Sequence, residues 1–87
     1  MFNVIVKRKV DRSVQKLPLN VKELYRRLLI DLRENGPVQP QWPNFSKLSN
    51  ENYHCHLGYH HVACWWNENG TITIEVYYVG SREGAPY

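Results

Sequence analysis

The spacing of hydrophobic positions changes along the chain, and each change marks an element. In Phe2–Lys7, Phe2, Val4 and Val6 share one side and Ile5 takes the other, which predicts a first strand. Residues 8–17 are polar, with Val10, Val14 and Leu17 at the steps of a short helix that Pro18 ends. Val21, Leu24, Leu28 and Leu32, widened by Leu29, predict a second helix over residues 21–35. Asn20 is its expected N-cap, Glu23 completes a capping box, and Gly36-Pro37 is the stop.

Residues 36–50 carry three prolines and no regular period, so a long loop is expected, pinned to the core by Trp42 and Phe45. Period-two alternation then returns three times. Tyr53, Cys55 and Leu57 alternate with His54 and His56. A second strand covers residues 60–66, and a third runs from Thr71 to Val79 with Ile72, Ile74, Val76 and Tyr78 on one face. Asn69-Gly70 between the last two strands is a strong hairpin signal. The prediction is one α+β domain over residues 1–87, in the order β-α-α-β-β-β, an antiparallel sheet with two N-terminal helices packed on one face.

A chain of 87 residues is too short for a two-domain enzyme, a full Rossmann fold or a barrel enclosing a cavity, so any chemistry must sit in a shallow cleft or on an open sheet face. No run approaches eighteen apolar residues, so no membrane span is expected. Met1–Val10 lacks the pattern of a signal peptide, which makes a cytoplasmic location the expectation, with Cys55 and Cys64 reduced. Charge is unevenly spread. Residues 1–35 hold nine Lys and Arg against four acids, a balance of +5, whereas residues 36–87 hold two against four and contain all four histidines. A basic half beside a histidine-rich half suits a polyanion partner, although on charge alone a solvated basic helix face is the better explanation.

The strand alternation singles out His54 and His56. Residues two apart in a strand face the same way, so with Tyr53, Cys55 and Leu57 claiming the core, two imidazoles stand together about 6.5–7 Å apart on the open face. Histidine exchanges protons near neutrality, and a pair can supply one base and one acid, or one base and one cation. His60 and His61 are adjacent and face opposite ways. A loop of two or four residues after Trp66 turns His61 toward the core and His60 toward the open face, and a three-residue loop reverses them. The six His and Cys between residues 54 and 64 lack the paired spacing of structural zinc sites, so no metal and no cofactor are expected. Arg82 projects after the last strand, and arginine is permanently charged and bidentate toward phosphate.

These segments, in this order, resemble the RelE/ParE superfamily of toxins of bacterial type II toxin–antitoxin systems, in particular its messenger-RNA-cleaving branch. The resemblance runs along almost the whole chain. It covers the first strand, the helical pair ending Glu34-Asn35-Gly36-Pro37, Lys47-Leu48, the run Tyr53-His54-Cys55-His56-Leu57-Gly58, His61-Val62, Val79-Gly80-Ser81-Arg82, and Tyr87. It implies an endoribonuclease that inhibits translation without a metal, with dependence on the ribosome, and with a cognate antitoxin that wraps the toxin. His54, His56, His61, Arg82 and Tyr87 match the family's catalytic positions, and Lys47 with the basic helices, joined by His60, would grip RNA. His54 or Tyr87 would be the base, His56 the acid or electrostatic partner, and Arg82 the group holding transition-state charge. Trp65, Trp66, Tyr59 or Tyr77 could stack a base. Histidine stands at three positions where the family usually has lysine or arginine, and Ser81 where some members carry another basic residue. Two other readings fit the resemblance: a ParE-like toxin that binds gyrase without cutting RNA, and a non-catalytic RNA-binding descendant.

Overall fold

The computed structural model describes residues 1–87. The elements are β1 (Asn3–Val6), α1 (Arg8–Gln15), α2 (Leu19–Asn35), β2 (Ser46–Lys47), β3 (Asn52–His56), β4 (His61–Asn67) and β5 (Thr73–Ser81). They form one five-stranded sheet in the order β1-β5-β4-β3-β2, with the helices on one face. β2 to β5 run antiparallel to their neighbours, but β1 pairs parallel with β5, from Asn3 opposite Thr73 to Val6 opposite Val76. The sheet is therefore mixed rather than purely antiparallel. The two helices and the long loop supply the crossover that a parallel pair needs.

Three local features depart from the sequence pattern. Helix α2 starts two residues early. Pro18 occupies the N-cap position at φ −57°, its carbonyl accepts from the Val21 and Lys22 amides, and Asn20 lies inside the first turn, so no capping box forms. The loop after α2 contains β2, which pairs Ser46 with His54 and Lys47 with Tyr53. Finally, β5 carries a bulge: Trp65 faces Val76 while Cys64 faces Tyr78, which leaves Tyr77 as the extra residue. Val79 consequently takes the core position expected of Tyr78, and Ile72 lies in the exposed turn before β5.

The core joins Val10 of α1 and Val21, Tyr25, Leu28 and Leu32 of α2 to the inward residues Tyr53, Cys55, Leu57, Ala63, Trp65, Ile74, Val76 and Val79. The proline-rich loop is fixed from both sides. Gln39 donates to the Asp31 and Gly36 carbonyls, the Trp42 indole donates to Asp31 Oδ2 at 2.9 Å, and the Trp65 indole donates to the Pro37 carbonyl at 3.0 Å. Phe45 stacks on Tyr53 and Trp65. Gly36 ends α2 at φ +92°, where a Cβ would sit 2.8 Å from the Phe2 ring. Only glycine meets both demands without strain. No helix is long and apolar enough to cross a membrane.

Candidate active site

The site occupies the sheet face that the helices leave uncovered. Because β3 alternates, Tyr53, Cys55 and Leu57 enter the core while His54 and His56 point away from it. Behind them stand Cys64 and Val62 of β4, each fully buried yet outside the helix-side core cluster. On the far side of β4, Tyr78 lies opposite Cys64 and Gly80 opposite Val62.

The C-terminal segment covers this face. After Ser81 the chain turns: the Ala85 amide bonds to the Arg82 carbonyl, the Gly84 amide donates to Ser81 Oγ, and the Tyr78 hydroxyl donates to the Ser81 carbonyl at 2.7 Å. A Cβ at Gly80 would lie 2.9 Å from that hydroxyl, so a glycine leaves room for the turn. The segment returns Tyr87 to the sheet, where its ring sits 4.5 Å from the His54 ring; the His56 ring is 5.8 Å from His54 on the other side. His54 is only 7% exposed as a result, although it stands on the helix-free face.

His54 is also held from below. Ser46 Oγ lies 3.0 Å from its Nδ1, a contact made by the two-residue strand β2. Nδ1 being engaged, Nε2 is the ring nitrogen left for a ligand. Burial, and then the neighbouring His56, push the His54 pKa below the ordinary histidine value, with a hydrogen bond from the ring to the Ser46 backbone opposing them in part. His54 is therefore a neutral imidazole at neutral pH. Burial, with Cys64 and Tyr78 nearby, pushes the Tyr87 phenol up, against the opposing pull of Arg82. Tyr87 thus keeps its proton and can donate it. Cys55 and Cys64 are free thiols, and burial drives both up to about 12, so neither offers a thiolate.

Arg82 lies at the rim. Its backbone amide bonds to the His60 carbonyl, and its guanidinium lies 5.4 Å from the Tyr59 ring centre, with Nη1 3.4 Å from the Tyr59 carbonyl. His60 packs edge-on against Tyr59, so Arg82, from the segment after β5, rests on the Tyr59–His60 turn that follows β3. His61 and Lys47 are not brought to the histidine pair. Asn67 of β4 pairs with Ile74 across an even-numbered connection, and this parity sets His61 on the same face as Ala63 and Trp65. Lys47 pairs with Tyr53, and its ammonium lies 5.9 Å from that ring, on the helix side of the sheet. The basic helices lie on that side too. Lys47 and the helices therefore face away from His54, because a one-residue step along a strand changes the face. No group of three or more His, Cys, Asp or Glu side chains comes together as a metal site.

Two features were not foreseen from the sequence. Ser46 becomes a partner of His54 only through β2, which lies in a segment whose prolines read as loop. Trp66 and Tyr77, named above only as possible stacking residues, sit with Lys7, Asn52 and Glu75 around a cleft of about 330 Å³ on the same face as the histidines.

No protein-family model matches the sequence, and no curated protein matches it. Several solved structures do match. The archaeal RelE of a RelE–RelB complex from Pyrococcus horikoshii superposes with a TM-score of 0.80 at 19% identity, covering 97% of this chain and 98% of that one. The isolated Escherichia coli RelE toxin gives 0.74 at 15% identity, covering 99% and 89%. A protomer of the Staphylococcus aureus YoeB dimer gives 0.72 at 15% identity, covering 93% and 97%. Agreement over nearly the full length of each chain, including the two-helix layer and the mixed sheet, shows that this chain has the RelE toxin fold.

Proposed function

We propose that this protein is the toxin of a toxin–antitoxin pair and cuts messenger RNA without a metal, acting on the translating ribosome in the cytoplasm. The observation that carries the reading is the His54 group. One buried imidazole is anchored at Nδ1 by Ser46 and flanked by a second imidazole at 5.8 Å and a phenol at 4.5 Å.

Cleavage of RNA by its own 2′-hydroxyl needs a base, charge stabilisation at phosphorus and an acid. His54 is the base: with Nδ1–H held toward Ser46, the Nε2 lone pair takes the 2′-hydroxyl proton. The 2′-oxygen then forms a bond to phosphorus and the P–O5′ bond breaks. His56 or Tyr87 gives the leaving 5′-oxygen its proton, and the products are a 2′,3′-cyclic phosphate and a free 5′-hydroxyl. The lowered pKa of His54 suits it to the base role, and the raised pKa of Tyr87 suits it to the donor role. Arg82, carried on a turn beside the site, swings from Tyr59 to the phosphorane oxygens. His60, in the neighbouring β3–β4 turn, adds a contact to RNA. His61 and Lys47, on the helix side of the sheet, meet ribosomal RNA rather than the scissile phosphate.

The partner is a cognate antitoxin. The matching archaeal RelE is in complex with RelB, and another match is the intact Escherichia coli RelBE toxin–antitoxin complex. An acidic antitoxin segment would find its counterpart in the balance of +5 over residues 1–35.

Induction of the wild type and of His54→Ala/Arg82→Ala in a bacterial host, with primer extension on translated messages, tests the reading. Growth arrest with discrete cuts that vanish in the double variant is the expected result. Arrest without cuts, surviving in His54→Ala/His56→Ala, would point to a gyrase-type target instead, and folded protein that causes no arrest would leave a binding domain.

A further inference from the structure

The cleft next to the histidines has its own chemistry. Trp66, two residues past Cys64 on β4, lies half-buried on the helix-free face, and the bulge at Tyr77 turns a second aromatic residue to the same cleft. The Trp66 indole donates to Glu75 Oε1 at 2.8 Å, and the Lys7 ammonium lies 3.8 Å from the same oxygen. Both contacts fall on Oε1, so Oε2 is free to accept. Asn52 commits its amide NH₂ to Ser49 Oγ at 2.8 Å, which leaves its Oδ1 without a protein partner. The cleft thus offers aromatic surface, two open acceptors and one cation.

A carboxylate in the lining disfavours a phosphate there but accepts well from a base. Guanine presents adjacent N1–H and N2–H donors beside the O6 acceptor, which matches two acceptors and an ammonium. Uracil presents a single donor between two carbonyls and would set its carbonyls against Glu75 and Asn52. Exposed aromatic rings contribute by stacking, which any base satisfies, so stacking supplies affinity and the acceptors supply choice. Asn52 is two residues from His54 on the same face of β3, about 6.5–7 Å along the strand, within the reach of one nucleotide.

We propose that the cleft formed by Lys7, Asn52, Trp66, Glu75 and Tyr77 is a guanine-selective nucleobase subsite, adjacent to the bond that His54 acts on. It rests on the ribonuclease reading for its place in the reaction, but not for its ability to bind. The probes are 5′-GMP and 5′-UMP, titrated into the isotope-labelled full chain and followed by NMR. GMP is expected to move the Trp66 indole N–H and the Tyr77 ring signals, while the indoles of Trp42 and Trp65 stay in place. UMP should bind about tenfold more weakly or not at all, and Glu75→Gln should erase the preference. Trp66→Phe keeps a ring and so should retain selectivity with reduced affinity, which separates loss of stacking from loss of fold. Equal response to the two nucleotides, or shifts confined to His54, His56 and Tyr87, would overturn the proposal. Selective binding at Trp66 by a protein that cuts no RNA would keep the subsite and remove the ribonuclease reading. Cleavage that depends on His54 but keeps its rate and position in Glu75→Gln, with no GMP response at Trp66, would do the opposite.

Discussion

The two faces of one sheet bury their residues by different means. On the helix side, α1, α2 and the proline-rich loop seal Trp65, Leu57 and Val76 completely, and the core they close is apolar and aromatic, with the buried amides of Gln39 and Asn67 hydrogen-bonded at its edge. On the other side, Val62 and Cys64 are just as inaccessible, yet their cover is a row of polar rings: His54, His56, Tyr78 and Tyr87. The helix side is shielded by regular elements with their own packing. The histidine side is shielded in part by a single turn of chain after Ser81, and Tyr87, which completes it, is itself 55% exposed. A cover of that kind lowers the local polarity around His54 while leaving Nε2 reachable, which is the condition for a neutral base beside solvent. The first face supplies stability, and the second gives up part of it to hold chemistry.

This contrast can be broken at either face. His54→Ala should reduce RNA cleavage by about 10²- to 10⁴-fold, as loss of a general base does, while the urea midpoint stays nearly fixed; a large fall in stability would instead make His54 a packing residue. Trp65→Ala should do the reverse, costing about 3–5 kcal/mol in urea denaturation because the ring fills the centre of the core and its indole N–H bonds the Pro37 carbonyl. Gly36→Ala should cost roughly 1–3 kcal/mol, since it combines φ +92° with a Cβ 2.8 Å from Phe2; calorimetric melting of the variant measures it.

Smaller effects sharpen the picture of His54. Ser46→Ala should lower cleavage by about tenfold, because the Oγ contact that orients the His54 ring through Nδ1 is lost. Ser46→Thr keeps the hydroxyl and should restore kcat, while the acid limb of the pH–rate profile stays in place in both variants because the contact that favours the protonated ring comes from the Ser46 backbone; a merely structural serine would show its loss in the urea midpoint and not in kcat. The smallest effect concerns stability. Folded His54 binds its proton less readily than the unfolded chain does, so this group takes nothing from stability above the ordinary histidine value near 6.5. As pH falls below that value, the unfolded state takes up the proton first, and stability declines until the folded pKa is passed. Urea midpoints at pH 7.5 and 5 should fall less in His54→Gln than in the wild type.

The amino-acid order by itself determined much of this protein. The period-two and helical spacings located both helices and four of the five strands, because a sheet against a helix layer forces alternation and a helix on a sheet forces an apolar stripe. The same alternation put His54 and His56 together away from the core, and the resemblance quoted Arg82 and Tyr87 beside them. Parity left His60 and His61 unresolved, since one residue of loop length inverts a strand, and only the pairing of Asn67 with Ile74 decided it. Lys47 looked like an RNA contact in one dimension, and a single step of register set it over Tyr53 on the opposite side. Ser46 and the Trp66–Glu75–Lys7 cluster depend on contacts between residues 8 to 68 positions apart. No local pattern encodes such contacts, because they follow from how strands line up and where a bulge falls. Sequence fixes which residue types face each way along a strand; tertiary packing decides which of them meet, and so which imidazole is buried, anchored and poised.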